Sequence, residues 1–98
     1  MDLNNSSAED DSILTLKERH LHKAAQLGDD QSIQLLIHEL HVDVNARNAL
    51  DRTALHLAAG NGHLKCVRIL YDATANLEHP DKYGMNALLW AAWFGHQE

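Results

Sequence analysis

Apolar residues in this chain gather in short clusters at helical spacing, separated by polar joints that carry glycine or asparagine. Ile33, Leu36, Ile37 and Leu40 follow an i, i+3, i+4 pattern, and Val67, Leu70 and Tyr71 repeat it on a later segment; each spacing puts one apolar face on a helix. Ahead of these segments lie two alanine-rich clusters, Leu21 to Ala25 and Ala54 to Ala59, and a third, Ala87 to Ala92, comes near the end. Their paired small residues (Ala24-Ala25, Ala58-Ala59, Ala91-Ala92) let neighbouring helices approach closely. Thr53 and Asn86 are suitable N-caps for the second and third clusters. Thr15-Leu16-Lys17-Glu18 reads as a capping box opening the first. Gly28, Gly62 and Gly95 stand where each of these helices should end, because glycine takes the left-handed conformation without a Cβ clash.

The clusters are copies of one unit. Leu55 recurs as Leu88 (88 − 55 = 33) inside a matching run from Ala54 to His63 and from Ala87 to His96, and an earlier copy begins at Leu21 (55 − 21 = 34). The extra residue of the first interval is placed in His38–Val42, opposite Asp72–Ala75. A fixed period of this size signals stacked supersecondary units, here pairs of antiparallel helices in an all-α solenoid. Turns at Asn48–Arg52 and Asp81–Met85 join the pairs, with Gly84 supplying a positive φ and Asp51 taking the same place one unit earlier. The predicted organisation is a disordered acidic tail over 1–14, a first, capping unit over 15–47, a second over 48–80 and an incomplete third over 81–98.

Charge narrows the choice of partners. The net charge is −6, from 14 acidic and 8 basic residues, and the bases are scattered, which argues against nucleic acid and anionic membrane surfaces. One cysteine, Cys66, excludes an intrachain disulfide and fits a reducing compartment. With an acidic beginning and no long apolar run, the chain is expected to be soluble and intracellular, most simply cytoplasmic.

Thr53-Ala54-Leu55-His56-Leu57-Ala58-Ala59 with Gly62-His63, and Asp81, Gly84, Leu88, Ala91, Ala92, Gly95 and His96, resemble the ankyrin repeat, about two and a half copies of it. Ala54 and Ala87 replace the family's proline, Asn86 its threonine and Leu89 its histidine, so the third turn should be looser. The stretch from Gly84 to His96 is similar to a segment of the ankyrin repeat and death domain-containing proteins, which implies intracellular signalling. The resemblance implies a protein partner docked on the turn tips and the exposed side of the first helices. Those positions are Arg47, Ala49, Leu50, Arg52, Gly60 and Asn61 in the second copy and Lys82, Tyr83, Met85, Trp93 and Phe94 in the third. Arg52 and Lys82 would form a charged rim for an acidic partner, and Trp90 belongs to the core. The other reading is a structural N-terminal cap of a larger repeat protein that makes no partner contacts. Gly95-His96-Gln97-Glu98 would open a second helix that does not follow, leaving an apolar edge around Leu88 and Trp90.

No enzymatic chemistry emerges, and no small-molecule ligand, cofactor or metal is expected. His38-Glu39-Leu40-His41 has its histidines three apart where a zinc-protease helix needs four. Gly60-Asn61-Gly62 follows a helix and not a strand, unlike a phosphate-binding loop. Cys66 lacks an activating His–acid pair and reads as an inert thiol. His56, His63 and His96 are expected to brace turns and loops.

Overall fold

The computed structural model describes residues 13–93 and contains five helices and no strand among them. They are α1 (Leu16–Leu27), α2 (Asp30–His38), α3 (Ala54–Gly60), α4 (Leu64–Asp72) and α5 (Ala87–Trp93). Helix α1 packs on α2 and α3 on α4, while α3 also touches α1 and α5, and α2 touches α4. First helices thus form one row and second helices another. This is the side-by-side stacking that the sequence period predicts.

Local chemistry fixes most of the ends. The amide of Glu18 donates to Thr15 Oγ1 (3.1 Å) and the amide of Thr15 to Glu18 Oε1 (3.0 Å), so the expected capping box is formed. It starts α1 a full turn earlier in the unit than α3 starts, which makes α1 12 residues long against 7. Thr15→Ala should cost roughly 1 kcal/mol, read as a lowered urea midpoint at unchanged slope. Asp29 caps α2 through the Ser32 amide (3.2 Å), and Asn86 caps α5 through the Leu89 amide (2.9 Å). Gly28 closes α1 in the left-handed region, at φ 79°.

Both units return from their second helix in the same way. The amide of Val42 donates to the Leu36 carbonyl and that of Ala75 to the equivalent Leu70 carbonyl, each at 3.0 Å. Val42 lies one residue further from Leu36 than Ala75 does from Leu70, so the extra residue sits in the segment assigned to it. His41 (φ 55°) and Thr74 (φ 71°) make the left-handed reversal in the two copies.

Leu21, Leu55, Leu70, Ile33, Leu36 and the pairs Ala24-Ala25 and Ala58-Ala59 form the core, while of the third pair Ala91 is half-buried against it and Ala92 is exposed. Three expectations need correction. Leu14, assigned to the tail, is buried; residues 1–12 of that tail lie outside the described residues. Leu40 is 44% exposed because α2 ends at His38. Tyr71 is 53% exposed, since α4 buries the i, i+4 pair Cys66 and Leu70 and turns its next stripe outward. Burial raises the Cys66 thiol, helped by Asp30 and Asp29 and opposed by Lys65, in keeping with an inert side chain.

Candidate protein-binding surface

Two turns of the same design stand at the ends of the first helices. In the second unit Asn48 Oδ1 accepts the amides of Leu50 and Arg52, both at 3.0 Å, and Asp51 reverses the chain at φ 60°. In the third, Asp81 Oδ1 accepts the amides of Tyr83 (2.9 Å) and Met85 (3.0 Å), and Gly84 reverses the chain at φ 82°. The left-handed positions assigned to Asp51 and Gly84 are both present. The tips are joined by the Lys82 amide, which donates to the Leu50 carbonyl at 2.8 Å. That backbone hydrogen bond, together with the amides satisfied inside each turn, holds the two turns as one ledge.

Asp81 is the hub of that ledge. Its second oxygen accepts the Trp90 indole N–H (3.0 Å) and the Arg52 Nε–H (3.3 Å). The Arg52 guanidinium lies 4.6 Å from the Trp90 ring centroid and 5.9 Å from that of Tyr83. Burial works to raise the Asp81 carboxyl, but the bonds from the Met85 amide, the Trp90 indole, the Tyr83 amide and Arg52 together hold it below its ordinary value of 3.8. Arg52 is accordingly not the open rim charge expected of it. It is half-buried, paired and stacked, because the indole beneath it offers a π face and Asp81 a carboxylate.

His56 bolts this ledge to the helix behind it. Its Nε2–H donates to the Met85 carbonyl at 2.8 Å, and its Nδ1 accepts the Thr53 amide at 3.1 Å. That arrangement requires the neutral ring. His63 reaches the Gln26 carbonyl (3.0 Å), so the two described members of the expected bracing set do brace neighbouring units; His96 lies outside the described residues. His22 makes the same kind of bond to the Ala46 carbonyl (3.0 Å). The sequence reading missed it, although the repeat register aligns it with His56.

Burial pushes the His56 imidazole below 6.5, with His79 and Arg52 adding to the shift, while the Met85 carbonyl and Asp81 oppose it. A folded value below the unfolded one means that the unfolded chain binds the proton more readily. The contribution of His56 is thus complete above about pH 6.5 and declines as the pH falls through the folded value. Melting temperature should drop between about pH 7 and about pH 5, and His56→Leu should flatten that slope.

The expected docking residues divide by exposure. Tyr83 is 67% and Trp93 76% exposed, and Lys82, Ala49, Asn61 and Arg47 are open to solvent as well. Met85 and Leu50 are half-buried, and Arg47 makes a loose pair with Asp51 at 4.0 Å. Asn61 turns its amide back to the Leu57 carbonyl (2.7 Å). Gly60 is a correction: it is buried inside α3, where a Cβ would stand 2.4 Å from Trp90 Cε3. It cannot touch a partner while that indole covers it. Phe94 lies outside the described residues. Leu27, exposed and in register with Asn61, joins the same face; only the repeat alignment could have pointed to it.

Two apolar depressions flank the last helix. Met85, Leu89, Ala92 and Trp93 line a cleft of about 340 Å³. Leu64, Val67, Leu77, Leu88 and Ala91 line a groove of about 520 Å³ beside α4. Leu88 is exposed there as expected, but Trp90 is not part of an open edge, since Asp81, Arg52 and Gly60 enclose it. Among the described residues no helix is long and apolar enough to cross a membrane, and no three His, Cys, Asp or Glu side chains converge as a metal site.

Comparison with known proteins places this architecture. Residues 21–98 match the family described as ankyrin repeats, three copies. Cortactin-binding protein 2 of Rattus norvegicus is 38% identical over 68 residues, which is 69% of this chain and 4% of that protein. Ankyrin repeat domain-containing protein 63 of Homo sapiens is 39% identical over 64 residues, 65% of this chain and 17% of that protein. The chain therefore spans only a small part of the length of these relatives.

Proposed function

Since this chain belongs to the ankyrin-repeat family, whose repeats are protein–protein interaction modules and typically not enzymes, we propose that it is an adaptor or scaffold in intracellular signal transduction. The observation that carries this reading is the ledge itself. Tyr83 stands exposed beside Lys82 on a turn whose amides are already satisfied internally, and exposed Trp93, at the end of α5, shares a cleft with half-buried Met85 of that turn. Side chains presented on a preorganised backbone lose little entropy on binding, and Trp and Tyr dominate interface hot spots. The name of one relative, cortactin-binding protein 2, supports a protein as the partner class. An intracellular, cytoplasmic setting accords with the lone buried thiol of Cys66.

The test is a comparative pull-down from cell extract with the wild-type chain and the Tyr83→Ala and Trp93→Ala variants. Each substitution should weaken capture of a defined protein roughly tenfold or more while leaving the melting temperature unchanged. If melting falls and capture does not, the residues serve a structural cap and the adaptor reading is wrong.

A further inference from the structure

Because the units are copies, each apolar position can be compared with its counterparts. Leu21 and Leu55 are fully buried, whereas Leu88, in the same register of the third unit, is 76% exposed. Ile33 of α2 is likewise fully buried, and its counterpart Val67 of α4 is only half-buried. The neighbouring helices account for the difference. In the second unit α4 packs on both α2 and α3. Among the described residues no helix packs in the corresponding place on α4 and α5. That place is the groove of about 520 Å³ lined by Leu64 and Val67 of α4 and by Leu88 and Ala91 of α5. It repeats, one unit further along, the seat that α4 itself occupies.

The two seats differ in one chemical respect. Asp30, at the start of α2, forms an ion pair with Lys65 of α4 at 3.4 Å. Leu64 holds the same register on α4 and is 70% exposed. A lysine placed in the open seat as Lys65 is placed in the filled one would meet Leu64 and not a carboxylate. We propose that the groove takes an amphipathic helix of another protein, seated as α4 sits on α2 and α3. That helix presents an apolar side chain where α4 has Lys65, and a small and a large apolar residue four apart where α4 buries Cys66 and Leu70. A helix laid by its apolar face in an apolar groove is a common mode of recognition. Residues 94–98 are too few to fill the seat, since α2 and α4 have nine residues each. A second copy has no helix to spare among α1–α4, which are already paired within the chain. None of the groove residues belongs to the ledge, so occupancy here is independent of docking there.

The test titrates the full chain with two helix-stapled peptides, one with the α4 sequence from Leu64 to Asp72 and one carrying Lys65→Leu, followed by NMR. The Lys65→Leu peptide should shift the amides of Leu64, Val67, Leu88 and Ala91 and bind about fivefold or more tighter than the unaltered peptide. Leu64→Asp in the chain should invert that preference, because it restores the carboxylate that Asp30 supplies one unit earlier. Leu88→Glu, at an exposed position, should abolish binding of both peptides without lowering the melting temperature. No binding of either peptide, shifts confined to other surfaces, or equal affinities unmoved by Leu64→Asp would overturn the assignment. So would a concentration-dependent dimer of the chain that Leu88→Glu converts to monomer, since the seat would then belong to a second copy.

Discussion

Asp81→Ala should lower stability by about 3–5 kcal/mol, the expected cost of breaking a buried, charge-assisted network by deleting one partner. Four donors lose their acceptor at once: the amides of Tyr83 and Met85, the Trp90 indole and the Arg52 guanidinium. In a chain of 98 residues this corresponds to a fall in melting temperature on the order of 20 °C. Asp81→Asn is the informative comparison. Asn48 already holds two turn amides with a neutral side chain, so asparagine at position 81 should keep the turn and cost only about 1–2 kcal/mol through its weaker hold on Arg52. A similar loss in both variants would show that the charge, and not the turn, is what Asp81 supplies. Because its folded carboxyl lies below 3.8, its contribution is complete above about pH 4 and disappears as the pH falls through the folded value. Acid therefore reaches the second–third unit seam in two stages, first through His56 and then through Asp81.

The second large effect concerns a glycine. Gly60→Ala should destabilise by about 2 kcal/mol, although alanine is the better helix former by roughly 1 kcal/mol. The added Cβ would stand 2.4 Å from Trp90 Cε3 and 3.0 Å from its Cζ3. The indole would have to leave its place under Arg52, and its bond to Asp81 would go with it. One unit earlier the corresponding positions are Gln26 and Leu57, a residue with a Cβ opposite a smaller apolar one. Trp90→Leu should therefore restore most of the stability lost in Gly60→Ala, and chemical denaturation of the single and double variants gives the coupling. Additive losses would refute this large-against-small complementarity.

Reading the residues in order recovers the period, the caps and the reversals. Thr15 with Glu18, Thr53, Asn86, Gly28, Asp51 and Gly84 all act on backbone groups within a few positions, so their roles follow from local chemistry. Ala24-Ala25 and Ala58-Ala59 likewise show where helices come close, whereas Ala92 of the third pair faces solvent. Errors cluster where one side chain meets another across units. Gly60 looks like a free turn-proximal surface until Trp90 covers it, and Arg52 looks like a free charge until Asp81 and the indole claim it. Tyr71 fits a helical stripe but lies outside the one that α4 buries.

From the sequence alone come the repeating helical pair, its register, the place of its extra residue and the turns that bear most of the proposed docking positions. These depend on short-range geometry that recurs wherever the same residues recur. The tertiary structure decided which of the candidate residues are spent on the fold and which stay open: Arg52 and Gly60 on one hand, Tyr83, Trp93 and Lys82 on the other. The reason is that exposure and ion pairing depend on the unit stacked alongside, and Trp90, at a position that Leu57 fills one unit earlier, is large enough to reach across and change both.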